Sequence, residues 1–301
     1  LAACHPVLHL PGDHRVLMLD PEWSEADRLE LSSALRDLRR AAGLSGHALA
    51  ARVYMSQTKI PRIETGRIIP SITDVELIVY ALDTDAERSR ELVSLARAAN
   101  TEFQPGRLRI RADPAARQRD LQALEAQCRV QRHFLPTMIT GLIQTSAYAR
   151  QALSWPADRS PAAVEEIVNH KVQRQAILHR EDKQFVFLLT EAALRWRLLD
   201  SVGMAVQIDH ITQVARLANV TVEIIPLRIQ VPVGPLNVFV VYDDRLARVE
   251  SKTGLLVLRD PTDVRYYLEL FAYYQRYALR DGAAREFLLK IADDFRSQGD
   301  P

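Results

Sequence analysis

The side chains with the clearest chemistry lie together on a short predicted helix over residues 57–65. Its outward face carries four polar side chains, Gln57, Thr58, Lys59 and Arg62. Amide, hydroxyl and guanidinium groups match the edges of bases, and cations match phosphate oxygens. Because no obvious catalytic residue stands among them, the pattern favours DNA binding over catalysis.

The residues before this helix predict a partner helix and a tight turn. Leu44, Leu49 and Val53 place apolar side chains on one face at helical spacing. Ser56 is suited to cap the second helix, and Gly66 to end it. Residues 44–66 therefore predict a helix-turn-helix.

The charge around this motif differs from that of the whole chain. The 301 residues carry a net charge of only +1, whereas residues 28–70 hold eight basic and three acidic side chains, a local charge of +5. A local basic surface fits a polyanion, and a solvated helix face is the alternative. With two cysteines, no secretory signal and no apolar run long enough to span a bilayer, we expect a cytoplasmic protein.

The spacing of apolar residues divides the chain into four parts. Residues 1–27 are predicted to be a poorly structured extension, and residues 28–100 a DNA-binding headpiece of five helices, an all-α fold. Residues 101–120, rich in arginine and interrupted by Pro and Gly, predict a linker. Residues 121–301 predict an α/β domain, the C-terminal domain, with about four or five strands from segments 185–190, 221–226, 236–242 and 246–258.

Residues 29–82 resemble the Cro/repressor-type helix-turn-helix domain of the XRE family. The resemblance rests on four stretches: Leu44-Ser45, Leu49-Ala50, Ser56-Gln57 and Arg62-Ile63-Glu64-Thr65-Gly66. It implies that helix 57–65 enters the major groove of double-stranded DNA and that helix 46–53 lies across the phosphates. It also implies that Arg39 pairs with Glu64 to lock the recognition helix, with a weak surface pair as the alternative.

Three residues depart from the pattern of that family. Gly46 stands where the family usually has Gln, which leaves Ser45 and His47 as substitute phosphate contacts. Tyr54 stands where the turn usually has Gly, so a positive φ there would strain it by roughly 1–2 kcal/mol. Pro61 falls inside the predicted recognition helix and should loosen its first turn.

Four stretches of the C-terminal domain, residues 141–150, 172–178, 187–196 and 220–227, resemble actinomycete regulators of the WhiJ-like type. The resemblance implies a transcriptional regulator, sometimes described as antitoxin-like, that works with a small partner protein encoded nearby. It names no ligand, metal or cofactor.

One aromatic-rich stretch could form a surface for a partner or an effector. Its members are Tyr266, Tyr267, Phe271, Tyr273, Tyr274 and Tyr277. Tyrosine combines an apolar body with a polar tip, which suits an interface. The helical spacing of Tyr267, Phe271 and Tyr274 favours core packing as the alternative.

These patterns predict a sequence-specific, non-enzymatic regulator that binds a pseudo-palindromic operator as a homodimer. Gln57, Thr58 and Arg62 would read bases, while Ser45, Lys59 and Arg67 would hold phosphates. The predicted DNA contacts also include His47 and Ser56. The alternative is a DNA-tethered enzyme or small-molecule sensor with its site in the C-terminal domain. No phosphate loop, zinc helix or nucleophile elbow motif occurs in the sequence.

Overall fold

The computed structural model describes residues 21–105, 114–155, 160–251 and 254–298. Five helices precede the first strand: α1 (Pro21–Ala41), α2 (Gly46–Arg52), α3 (Lys59–Glu64), α4 (Ile72–Ala81) and α5 (Ala86–Asn100). The expectation that residues 21–27 are poorly structured is therefore wrong, because α1 includes them. Proline suits a first helical turn, where its missing amide has no partner in any case. Residues 1–20 lie outside the described part of the chain.

The five helices enclose one apolar core. Its fully buried members come from every helix: Leu31, Leu35, Leu49, Ile60, Ile63, Val75, Ile78 and Leu92. Two glycines at a φ of 68°, Gly43 and Gly66, end α1 and α3. After α3, the amide of Gly66 donates to Ile63 and that of Arg67 to Arg62, so orphan carbonyls at the helix end are satisfied.

Behind the headpiece lies a mixed sheet of seven strands: β1 (Thr101–Pro105), β2 (Val130–Leu135), β3 (Gln184–Thr190), β4 (Val220–Ile225), β5 (Val238–Tyr242), β6 (Leu246–Glu250) and β7 (Gly254–Leu258). Their order is β1-β7-β6-β5-β2-β3-β4. The β2–β3 and β3–β4 pairs are parallel, and the other neighbours are antiparallel. Six strands come from the C-terminal domain, against the four or five predicted.

Helices cover both faces of this sheet: α6 (Pro114–Gln127), α7 (Ser146–Ala152), α8 (Pro161–Arg174), α9 (Glu191–Arg195), α10 (Ser201–Val214), α11 (Pro261–Gln275) and α12 (Asp281–Ser297), with short 3-10 turns at Gly141–Ile143 and Gln175–His179. Residues on the two faces of β3 pack into two different apolar cores. Phe185 and Phe187 pack on the side of α10 and α12, whereas Leu188 packs on the side of α11. Among the described helices, none is long and apolar enough to cross a bilayer.

The prediction that residues 101–120 form a linker is wrong at both ends of this range. Residues 101–105 form β1, which pairs with β7, and α6 begins at Pro114. Residues 121–135, whose apolar spacing looks helical, divide into the end of α6 and the central strand β2. Strand β2 lies between β3 and β5, and its sequence, Val-Gln-Arg-His-Phe-Leu, does not alternate between apolar and polar residues, so local spacing does not identify it as a strand.

Candidate nucleic-acid interface

The helix-turn-helix is built on α2, α3 and the turn between them. Ser45 caps α2, since its hydroxyl accepts from the amide of Ala48 at 3.0 Å. In the turn, Tyr54 has a φ of 54° and is almost fully exposed. The amide of Met55 donates to Ala50 at 2.9 Å and reverses the chain direction. Tyr54 therefore holds a left-handed conformation with no packing to compensate for it.

The recognition helix starts later than the sequence pattern predicts. Helix α3 begins at Lys59, preceded by Thr58, which makes no capping hydrogen bond through its side chain. Ser56 is thus not the N-cap. Its hydroxyl lies 3.4 Å from that of Thr58, and its carbonyl accepts from the amide of Lys59. Pro61 is then the third helical residue, where an amide would have no helical partner, so the expected loosening of the first turn does not arise.

Most of the predicted contact residues are exposed: Ser45, His47, Ser56, Gln57, Thr58, Arg62 and Arg67. The side chains of Arg62 and Arg67 have no ion pair within the described residues. Gln57 Nε2 lies 2.8 Å from His47 Nε2, which ties α2 to the start of the recognition helix. The structure therefore presents two uncommitted guanidinium groups and one amide held in place by a neighbouring imidazole.

Lys59 differs from the other predicted contacts. Its ammonium group donates to Asp74 Oδ1 at 2.6 Å, and the side chain is only partly exposed. Asp74 lies in the first turn of α4 and is buried. A carboxylate from another helix therefore already engages the charge of Lys59, and its contact with a phosphate stays a prediction. The sequence reasoning missed Asp74.

The proposed lock on the recognition helix is present. Arg39 Nε and Nη2 donate to the two oxygens of Glu64 at 2.6 and 2.8 Å, and Nη1 donates to the carbonyl of Leu44 at 2.6 Å. Both side chains are largely shielded from solvent. Hydrogen bonding to Glu64 raises the pKa of Arg39 above its usual value. This fork joins α1, α3 and the start of the helix-turn-helix, and it is not a weak surface pair.

The aromatic set on α11 divides between core and surface. Phe271 and Tyr274 are buried, Tyr267 packs with them, and the ring of Tyr274 stacks on Phe134 at 4.3 Å. Tyr266 is 61% exposed. Tyr273 and Tyr277 are partly buried, and the hydroxyl of Tyr277 donates to that of Tyr273 at 3.3 Å. Tyr266 and Tyr273, with Leu270 and Val233, line an open groove of about 580 Å³.

A buried polar cluster that joins α6 and α8 to the sheet was not predicted from the sequence. Glu125 lies 3.6 Å from Arg174, and Arg248 donates to the hydroxyl of Tyr242 at 3.2 Å. Burial, together with the two arginines, lowers the pKa of His133 to about 3, and burial raises the pKa of Glu125. The polar residues of β2, Gln131, Arg132 and His133, are consecutive in the sequence, and such a run predicts exposure rather than burial.

Cys128 directly follows α6, next to this polar cluster. The thiol is buried, donates to the carbonyl of Glu125 at 3.3 Å, and has its pKa raised by burial to about 11. A thiol that stays protonated is a poor nucleophile. The side chain packs with Val240 and Tyr242 in a small apolar cluster.

Two protein-family models match this chain, one in each domain. A model described as a helix-turn-helix domain matches residues 30–92. A model described as a domain of unknown function, DUF5753, matches residues 118–290, more than half of the chain. The chain belongs to the DUF5753 family. The helix-turn-helix match, with the geometry above, identifies the headpiece of this DUF5753 protein as that of a DNA-binding regulator.

Similarity to solved structures is weak. A phospholipase D family member, Nuc from Salmonella typhimurium, aligns over 55% of this chain and 90% of its own, at 8% identity and a TM-score of 0.31. The archaeal chromatin protein TrmBL2, whose structure is described as showing a novel mode of DNA binding, aligns over 68% of this chain and 66% of its own, at 12% identity and a TM-score of 0.30. At these scores neither contributes to the assignment. A comparison with curated proteins found no match.

Proposed function

We propose that the chain is a sequence-specific transcriptional regulator with an XRE-type headpiece and a WhiJ-like, antitoxin-like C-terminal domain. The headpiece would read double-stranded DNA with Gln57, Thr58 and Arg62, and hold phosphates with Ser45, His47, Ser56 and Arg67. Lys59 would instead orient the recognition helix through Asp74. We propose no catalytic role for either domain.

One observation carries this proposal: Arg62 is exposed near the end of a recognition helix that is fixed to its scaffold. The guanidinium is free within the described residues, while the Arg39–Glu64 fork holds α3 in place from behind. A pre-oriented arginine is suited to bidentate recognition of guanine in the major groove. Arg67, immediately after the helix, is suited to a neighbouring phosphate.

The C-terminal domain would supply dimerisation and control. Two headpieces about 34–36 Å apart would match the half-sites of a pseudo-palindromic operator. The groove beside α11, lined by Tyr266, Leu270 and Tyr273, would receive a small partner protein or effector. Coupling between such a site and DNA affinity is typically worth 1–3 kcal/mol.

The test begins by selecting bound sequences from fragmented genomic DNA with the purified full-length chain. Titrations then compare the recovered sequence, its single-base variants and random DNA at one fixed salt concentration. For Arg62→Ala we expect discrimination at one base position to fall by roughly 1–3 kcal/mol, with the other positions unchanged. Arg285→Ala, which removes an exposed arginine from α12, is the matched control and should leave every affinity unchanged.

Equal loss by Arg62→Ala on selected and random DNA would assign Arg62 to phosphate binding and contradict base reading. Failure of the wild-type chain to enrich any sequence would contradict the proposed function itself. Native mass spectrometry of the purified chain separates regulator from sensor or enzyme. A co-purified small protein would support the regulator, and a bound metabolite would support the alternative.

A further inference from the structure

A series of polar contacts connects the recognition helix to the C-terminal domain. It starts at Lys59, which is the first residue of α3. The ammonium group of Lys59 donates a hydrogen bond to Asp74 on α4. The second oxygen of Asp74 accepts from the amide of Ser71 at 3.0 Å, and the hydroxyl of Ser71 accepts from the amide of Asp74 at 3.1 Å. This reciprocal capping box fixes Asp74 to the first turn of α4. The position of Lys59 therefore depends on where α4 begins.

The first turn of α4 is in turn held by a residue 188 positions further along the chain. Asp260 Oδ2 accepts from the amide of Ile72 at 3.0 Å, and Oδ1 accepts from the amide of Thr262 at 2.9 Å. Asp260 is the N-cap of α11, yet it also satisfies an amide at the start of α4. An N-cap ordinarily serves only its own helix. Here one carboxylate, 2% exposed, joins the first turns of two helices in different domains.

Asn100, the last residue of α5, also bonds to the segment that precedes α4. Its amide group donates to the carbonyl of Pro70 at 2.7 Å and to that of Ala96 at 2.8 Å. Its own carbonyl accepts from the amide of Arg259 at 3.0 Å, next to Asp260. The chain then continues as β1, paired with β7. The start of α4 is thus fixed between the end of α5 and the start of α11.

We propose that Asp260 is a positioning residue for DNA recognition, through which the C-terminal domain sets the placement of α3. The connection runs from Asp260 through the first turn of α4 to Asp74 and Lys59. Because Asp260 caps α11, whose outward face lines the groove with Tyr266 and Tyr273, a ligand in that groove acts on the helix that holds the headpiece. This inference rests on the proposed DNA-binding function.

The first measurement needs no DNA. Hydrogen exchange of the full-length chain, followed by mass spectrometry, compares the wild type with Asp260→Ala. We expect peptides covering residues 59–74 to exchange about tenfold faster in the variant, because the Ile72 amide loses its acceptor and the start of α4 loosens. Asp85→Ala and Asp200→Ala are controls, since each removes an N-cap confined to its own helix, α5 or α10. They should leave residues 59–74 unchanged.

The second measurement asks whether the connection reaches the recognition helix. On DNA selected by the wild type, we expect Asp260→Ala to lower specific affinity by about 5- to 20-fold. In a Lys59→Met background, where the series of contacts is already broken, the same change should cost less than about twofold. Asp260→Asn, which keeps one acceptor oxygen, should give an intermediate loss, and it replaces the alanine variant if that does not fold.

Unchanged exchange over residues 59–74 in Asp260→Ala would overturn the inference. So would an equal loss of DNA affinity in the wild-type and Lys59→Met backgrounds, because independent effects add. Absence of DNA binding by the wild type would overturn the proposed function alone. The exchange experiment would still decide whether Asp260 controls the start of α4.

Discussion

The polar side chains that stand out in the headpiece and in the C-terminal domain lie in different environments. In the headpiece, Gln57, Arg62 and Arg67 lie at the surface, whereas side chains that fix the helices, such as Glu64, are buried. In the C-terminal domain, Glu125, His133 and Arg248 are buried. Exposed polar groups are available to a ligand at little cost in stability, whereas buried ones need partners inside the fold. Arginine therefore stands on the proposed binding surface at Arg62 and in a buried polar cluster at Arg248.

The sharpest test of this contrast is removal of core packing from the C-terminal domain. Phe134 is 1% exposed, stacks on Tyr274 and lies 5.1 Å from the ring of Phe239. We expect Phe134→Ala to lower the free energy of unfolding by about 3–5 kcal/mol, measured by urea denaturation with circular dichroism. Tyr266→Ala, an aromatic truncation on the exposed face of the same helix as Tyr274, should cost less than about 1 kcal/mol. Similar losses for both variants would contradict the division of the aromatic set into core and surface.

The buried histidine offers a test through pH. The pKa of His133 is about 3 in the folded chain, against an ordinary value near 6.5. As the pH falls below 6.5, the unfolded chain binds a proton that the folded chain excludes, so stability decreases by about 1.4 kcal/mol per pH unit until the folded pKa is reached. Between pH 7 and pH 5 we expect the wild type to lose about 2 kcal/mol more than His133→Gln. Glu125, whose pKa is raised, titrates in both proteins.

Urea denaturation at the two pH values gives this difference directly. A wild type and a His133→Gln variant with the same dependence on pH would show that His133 takes up its proton in the folded state. It would then resemble a surface histidine, and the contrast between the two domains would be weaker.

The smallest expected effect is a gain of stability in the headpiece. Tyr54 has a φ of 54° and is 99% exposed, so it carries strain without packing. We expect Tyr54→Gly to raise the free energy of unfolding by about 1 kcal/mol, since glycine adopts this conformation without the steric cost. Tyr80→Gly, at an 87% exposed site in the last turn of α4, should lower it by about 1 kcal/mol. Loss of stability in both variants would contradict strain at Tyr54.

Prediction from the sequence succeeded best where the determinants are local. The glycine that ends α3, Gly66, and the positive φ at Tyr54 both depend on a few consecutive residues. The five helices of the headpiece follow from the same information, with α1 starting earlier and α3 later than expected. Short-range sterics and hydrogen bonds fix these features whatever the rest of the chain does.

Prediction was poorer where a residue's environment comes from distant segments. Strand β2 was not recognised because its neighbours, β3 and β5, lie about 50 and 110 residues further along the chain. Lys59 looked like a phosphate contact because its partner, Asp74, is on another helix. Polar residues of β2 and β6 gave no sign that His133 and Arg248 would be buried.

The sequence by itself determined a helix-turn-helix with a basic surface, because spacing, caps and glycines act within one or two helical turns. Only the tertiary structure decided which of its polar side chains remain free and which are already paired. It also decided that Asp260, an ordinary N-cap in the sequence, holds the start of α4 as well as that of α11. The physical reason is that a carboxylate has two oxygens. One oxygen of Asp260 caps α11, and packing of the two domains brings the first amide of α4 within hydrogen-bonding distance of the other oxygen.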